Sequence, residues 1–422
     1  MQRTFLLLGI LLLLPANGCA SWPRPLGARP CCVDAKPVVH RQPIAWHLFD
    51  VTVLEPLEQP FHLMRWGRRL FGLPTRSLNL HDDALADSAF FTVGDPAQLS
   101  ADAVRWGPTR PEDVAVAPFL VTKPKVEGKT AGFFVRDARG VRYLFKLDPA
   151  EAPELLSGAE VVTSKLLYAL GYHVPSYEIV FLRPEDLRLP ESPEGPADGP
   201  APPLTAAALE ALLQPRLHEG VLRVSASKIL EGEILGPASF KQFRDCAEMR
   251  ALKLAYAWLN NVDAKDHNSL LVWDGKRTVG YLIDFGTSLG ADAGRAASKD
   301  WCEGWTYAVD LQEWSLRLLT LGWHHPACDP QPHVVSPSLG LFSSAFDPDQ
   351  WKPYAPNLAF HEMNEQDARW IARRMARVSR TQIEAAVSAA RYRRPEDAAS
   401  LVDALDQRRQ TIVQRYLDAD GE

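Results

Sequence analysis

NNVDAKDHNSLLVWDGKRTVGYLIDFGTSLG, residues 260–290, decides the reading of this chain. It follows Met249 to Asn261, MRALKLAYAWLNN, whose apolar face is wide enough for a buried helix. A loop leaving such a helix can present Asp263 to a substrate hydroxyl. Asn268, five residues on, can turn back toward a metal. The spacing then predicts a hairpin, Ser269–Trp273 and Val279–Ile283, around the turn pair Asp274-Gly275. Its second strand delivers Asp284, 21 residues after Asp263, at the head of Asp284-Phe-Gly286. A carboxylate beside an amide oxygen is a donor pair suited to Mg²⁺.

Upstream, 118–147 reads as strands. Phe119–Thr122 is short and apolar, and Phe133–Asp137 and Val141–Lys146 flank the turn Ala138-Arg139-Gly140. The polar loop before that hairpin contains Gly128-Lys-Thr130-Ala-Gly132, whose backbone amides and small residues suit close approach to phosphate. Pro153 opens a helix of about 17 residues, with Leu155, Leu156, Ala159, Val162, Leu166 and Leu170 at helical spacing and Gly171 as its stop. Tyr177–Leu182 and Val221–Leu230 are further strands, separated by a Pro-, Glu- and Gly-rich insertion over 184–203 and a short helix from Thr205 to Leu213. The last 60 residues predict two amphipathic helices, around 364–390 and 395–418. Strands come first and helices dominate afterwards, so the fold class is α+β, a small β-rich lobe followed by a larger helical one.

Asp263-x-Lys265-x-x-Asn268 followed by Asp284-Phe-Gly resembles the catalytic-loop and metal-loop pairing of protein kinases. Asn261-Val262 stand where the family has His-Arg, which resembles the atypical HipA-type and phosphoinositide-kinase-like branches. The layout is also similar to bacterial exported proteins with a kinase-like core. The resemblance implies a two-lobed kinase-like fold with ATP and Mg²⁺ (or Mn²⁺) as cofactors. It implies that Asp263 orients the attacking hydroxyl and takes its proton. Lys265 neutralises the transferred phosphoryl, and Asn268 and Asp284 hold the metal. It also demands a strand lysine for the phosphates and a helix glutamate to position it. Lys146 ends a strand and Glu160 lies 14 residues later in the next helix. Gly128, Thr130 and Gly132 would cover the phosphates, and Ile229 to Gly232, Leu230 above all, would form the adenine-binding hinge.

The whole chain of 422 residues has room for two lobes and extensions, and its 46% hydrophobic and 23% charged composition is that of a globular protein. Net charge is −6 and no stretch concentrates Lys and Arg, so nucleic acid is not an expected partner. The first residues have the form of an export signal. Arg3 precedes the apolar run Phe5 to Leu14, which is too short to span a bilayer. Ala16-Asn-Gly-Cys19 resembles a lipobox, with Cys19 as the lipidated residue and the only membrane attachment. The expected organisation is a signal over 1–18 and a tether over 19–45. An extension over 46–117 packs on the body, and the lobes span 118–235 and 236–422. An exported chain meets an oxidising compartment, where Cys302 and Cys328 are a possible local pair.

Each residue has a plainer role available. Lys146 can be an exposed strand end, Glu160 an exposed helix residue, and Asp284 a turn cap. Glu154 is a second partner for the lysine, but it falls in the first helical turn, where a carboxylate favours the dipole. Asp266 and His267 match no required role. It is the joint order that favours a site. Three readings stay open: phosphoryl transfer to a protein, lipid or small-molecule hydroxyl, AMP transfer with the nucleotide reversed, and a nucleotide-binding scaffold without catalysis. A scaffold has no need of Asp263 and Asn268.

Overall fold

The computed structural model describes residues 31–34, 36–37, 43–55, 67–68, 70–71, 73, 75–126, 128–190, 204–292, 302–324, 328 and 336–418. The export signal, Cys19 and most of the insertion over 184–203 lie outside the described residues.

The first lobe is built on β1 (Phe119–Pro124), β2 (Gly132–Arg136) and β3 (Arg142–Leu147), which form an antiparallel meander. Helix α1 (Ala101–Trp106) precedes them and α2 (Leu155–Ala169) follows. Then come β4 (Tyr177–Leu182), β5 (Leu187–Arg188), helix α3 (Ala206–Leu213) and β6 (Leu222–Lys228). The six strands make one curled sheet in the order β4-β6-β3-β2-β1-β5. Phe119, Phe133, Tyr143, Phe145 and Val224 fill its own apolar core. Helix α2 starts where the Asp148 carboxylate accepts the backbone N–H groups of Glu154, Leu156 and Ser157 at 2.8–3.0 Å, an anion set on a helix N-terminus.

The chain leaves this sheet after Lys228. Glu233–Gly236 (β7), which straddles the expected lobe boundary at 235/236, pairs antiparallel with β8 (Ser269–Trp273), which in turn pairs with β9 (Thr278–Leu282). Helix α4 (Ala247–Leu259) is buried along nearly its whole length. The segment after Asp284 carries α5 (Leu311–Leu319) and a Cys302–Cys328 disulfide. Helices α6 (Leu358–His361), α7 (Glu365–Ala376), α8 (Arg380–Ala389) and α9 (Pro395–Leu417) complete the larger lobe. The single helix expected over 364–390 is two, because the Ser379 hydroxyl accepts from Gln382 N–H while the Gln382 side chain accepts from Ser379 N–H, and this capping box starts a new helix.

One expectation for the N-terminal region needs correction. Residues 31–33, placed in the tether, are fixed to the body: Cys31 is disulfide-bonded to Cys246 at the start of α4, and the Val33 carbonyl accepts Thr278 N–H at 2.9 Å. Phe90, Phe91 and Val104 belong to the main core itself, together with α2, α4 and the C-terminal helices. Among the described residues, no helix is long and apolar enough to cross a membrane.

Candidate functional site

Lys146 lies near the end of β3, and the register that buries Tyr143, Phe145 and Leu147 leaves its side chain only 8% exposed. Two anions meet it there. Its Nζ donates to Glu160 Oε1 and, at 2.8 Å, to Asp284 Oδ1. Glu160 comes from the second turn of α2, and its other oxygen accepts from the Ser225 hydroxyl at 2.7 Å. Ser225 faces Lys146 directly across the β3–β6 ladder. Burial alone would lower the Lys146 ammonium, but the Asp284 and Glu160 carboxylates hold its pKa well above the ordinary lysine value. The Lys146 charge holds Asp284 below the usual carboxylate range. Burial raises Glu160, against the pull of Lys146 and Ser225.

Asp263, Lys265 and Asn268 form a second group. Lys265 Nζ pairs with Asp263 Oδ2 at 2.6 Å, and Asn268 Nδ2 donates to the Asp263 carbonyl at 2.8 Å. The bond closes the loop and aims the amide oxygen away from it. Ile283 N–H donates to the Asn268 carbonyl at 3.0 Å, extending the β8–β9 ladder by one step. Asp284 follows at once. Its φ of +61° is a left-handed conformation unusual for an aspartate, held by Tyr177, whose hydroxyl accepts Asp284 N–H at 3.3 Å and whose ring packs on buried Phe285. The Asp284 side chain is 44% exposed, and its Oδ2 has no hydrogen bond among the described residues. One carboxylate oxygen from Asp284 and one amide oxygen from Asn268, whose backbone carbonyl accepts from the residue before Asp284, are hard donors that fit a Mg²⁺ or Mn²⁺ ion keeping several waters.

Gly128 lies within the loop between β1 and β2, and Gly132 opens β2. Gly128 has φ +76°, and Lys125 Nζ reaches across to the Thr130 carbonyl at 3.0 Å. The need for glycine at Gly132 is sheet packing: it pairs with Lys146, and a Cβ there would run into the Phe145 carbonyl. Leu230 follows β6 just past Ile229, whose N–H bonds the Arg142 carbonyl, and shares no hydrogen bond with the Lys146 group. Glu154, the alternative partner for the lysine, pairs instead with Arg393 at 2.6 Å.

No protein-family model and no curated protein matches the sequence. Among solved structures, the chain is similar to the Helicobacter pylori proinflammatory kinase CtkA, at 12% identity and a TM-score of 0.38, over 72% of this chain and 97% of that one. It is similar to the Golgi casein kinase at 11% identity and a TM-score of 0.28, over 93% and 97% of the two chains. The parts expected of a two-lobed kinase-like fold are present in the chain itself: a curled sheet, antiparallel except at its β1–β5 edge, one helix set against the lysine strand, and the paired loops at the head of a helical lobe.

Three residues at this site escaped the sequence reading. Tyr177 and Ser225 sit in strands whose apolar alternation was legible while their partners were not. Lys125 contributes charge that lowers Asp284, along with Lys146 and Lys265. Only its place in the loop containing Gly128 could have marked it.

Proposed function

We infer that the protein is an ATP- and divalent-metal-dependent phosphotransferase acting on a hydroxyl acceptor. The observation that carries this reading is the paired contact of Lys146 with Glu160 and Asp284, because it joins both lobes at one buried ammonium. Glu160 and Ser225 fix the lysine's position, so that it can meet a nucleotide's phosphates without reorganising. Asn268 and Asp284 would hold the metal, which neutralises phosphate charge when bound. Asp263 is the base candidate: its carboxylate sits on the loop beside the metal ligands, and Lys265 keeps it oriented. Lys265 can leave Asp263 for the transferred group as charge develops there. The acceptor's class, whether protein, lipid or small molecule, is set by contacts beyond these residues.

We place the chain in a bacterial cell envelope, exported and held to the membrane by a lipid on Cys19. What supports this is the N-terminal pattern, together with disulfides Cys31–Cys246 and Cys302–Cys328, which suit an oxidising compartment. Cys19→Ser should release the protein from membranes, and a variant that stays bound sinks the lipidation reading.

Intact-mass analysis after incubation with ATP and Mg²⁺ tests the chemistry. Added phosphate, lost in Asp263→Asn, supports phosphoryl transfer. Added AMP would replace it by nucleotidyl transfer, and no consumption of ATP with any hydroxyl acceptor tried would favour the scaffold.

A further inference from the structure

A cavity of about 350 Å³ lies in the larger lobe, and none of Lys146, Glu160, Asp263 or Asp284 lines it. Its walls include Lys253 from α4, Trp305 and Tyr307 from the segment after Asp284, and Gln350, Trp351 and Asn357 from the approach to α6. The size suits one small ligand.

The charges around it are unequal in their commitments. Lys352 is paired with Asp310 at 2.8 Å and lies over the Tyr307 ring. Glu313 is paired with His324 at 2.7 Å. Lys253 has no hydrogen bond or ion pair among the described residues. The nearest carboxylates whose field it feels are those of Asp349 and Asp347. Asp349 is already engaged by Arg415 and Tyr416 at 2.5–2.6 Å, and Asp347 by Gln350 at 2.8 Å. Burial lowers the pKa of the Lys253 ammonium for want of a closer partner. Lys253 is thus a cation in a cavity wall with no carboxylate in direct contact, and Asp349 in the same wall is already engaged, so an incoming anion can take the closer position. Aromatic faces from Trp305, Trp351 and Tyr307 stand beside amide groups from Gln350 and Asn357. That combination suits the C–H faces and hydroxyl edges of a sugar.

We propose that this cavity binds an acidic sugar, a hexose-sized ligand whose single carboxylate or phosphate pairs with Lys253 while its ring lies against the tryptophan walls. The site is independent of the phosphotransfer reading. It is nonetheless tied to the Asp263 loop, because Asn357 Nδ2 donates to the Ala264 carbonyl at 3.2 Å and Tyr354 N–H to the Val262 carbonyl at 2.7 Å. An occupant that shifts Asn357 therefore acts on the residues either side of Asp263.

Two tryptophans in the wall provide the readout. The full chain is titrated with glucuronate, glucose 6-phosphate, glucose and inorganic phosphate while tryptophan fluorescence is followed. The expected result is a saturable change with glucuronate or glucose 6-phosphate; which of the two binds tells carboxylate from phosphate. Lys253→Met should weaken that binding about tenfold or more, as loss of a charge-assisted contact requires, and Lys146→Met should leave it unchanged. Trp305→Ala provides a second arm that must also weaken binding, should Lys253→Met fail to fold. The proposal is overturned if no acidic sugar gives a saturable change, if glucose or inorganic phosphate binds as well as the acidic sugars, or if binding survives both wall variants.

Discussion

Glu160→Ala is the substitution whose cost the structure specifies best. In the native protein the Lys146 ammonium, 8% exposed at its side chain, has two carboxylate partners, and Glu160 is itself 2% exposed. Removing one partner of a fully buried pair costs about 3–5 kcal/mol, because a charge is left without compensation. Here Asp284 remains 2.8 Å from Nζ, so part of that cost is avoided, but its 44% exposed carboxylate is a weaker partner than a buried one. The Ser225 hydroxyl loses its acceptor as well, which adds about 1 kcal/mol. The net expectation is a loss of about 2–4 kcal/mol. Urea unfolding with linear extrapolation measures it. The double variant Lys146→Met/Glu160→Met removes the two buried charges and leaves only the partly exposed Asp284, so it should recover much of the loss, since an apolar pair of similar volume avoids the desolvation cost. A Glu160→Ala loss under about 1 kcal/mol, or a double variant whose cost is the plain sum of the singles, would refute the view that this pair is a buried, mutually dependent unit.

Gly132→Ala should impair folding far more than Gly128→Ala, since the first meets the Phe145 backbone and the second pays only the left-handed penalty of about 1 kcal/mol; thermal unfolding of both variants decides this. Cys31→Ser should cost about 5.4 kcal/mol under oxidising conditions, against about 3.5 for Cys302→Ser, because the loops closed span 215 and 26 residues; the gap should vanish in reductant. Burial lowers the His173 imidazole below its ordinary value, and its ring bonds the Ala89 carbonyl at 3.0 Å. A base with a depressed folded pKa contributes stability that is present above its unfolded value near 6.5 and is lost as pH falls through the folded one. The loss of stability on acidification below 6.5 should therefore be shallower in His173→Gln than in the wild type when unfolding is followed across that range.

The parts of the site that are close in sequence were the legible ones. Asn268 and Asp284 are joined by a five-residue hairpin ladder with a turn pair between, so local pattern alone brings them together. Lys146 and Glu160 were singled out because the kinase resemblance demands a strand lysine and a helix glutamate; alternation and helical spacing placed their elements, and neither pattern states that the two side chains touch. What stayed hidden depends on contacts between distant segments. Nothing near Cys31 or Cys246 marks them as partners across 215 residues. Glu233–Gly236 had no strand reading from its four residues, and only the pairing with Ser269–Trp273 reveals it. The break before Arg380 was legible in principle: Ser379 and Gln382 have the spacing of a capping box, but amphipathic periodicity runs on through it. The core role of Phe90 and Phe91 had no local signal. Phe90 packs where a side chain on Gly280 would otherwise stand, a fit visible only in three dimensions.

The central claim is that Lys146, Glu160, Asn268 and Asp284 together form a nucleotide and metal site. Thermal unfolding with ATP plus Mg²⁺ or Mn²⁺ tests it most directly. At a ligand concentration of 100 times Kd, binding should add about 2.7 kcal/mol of stability to the wild type. The added stability should disappear in Asp284→Ala and when the metal is chelated. An unfolding temperature that stays the same with and without ATP and metal, in a wild-type protein shown to be folded, would contradict the account.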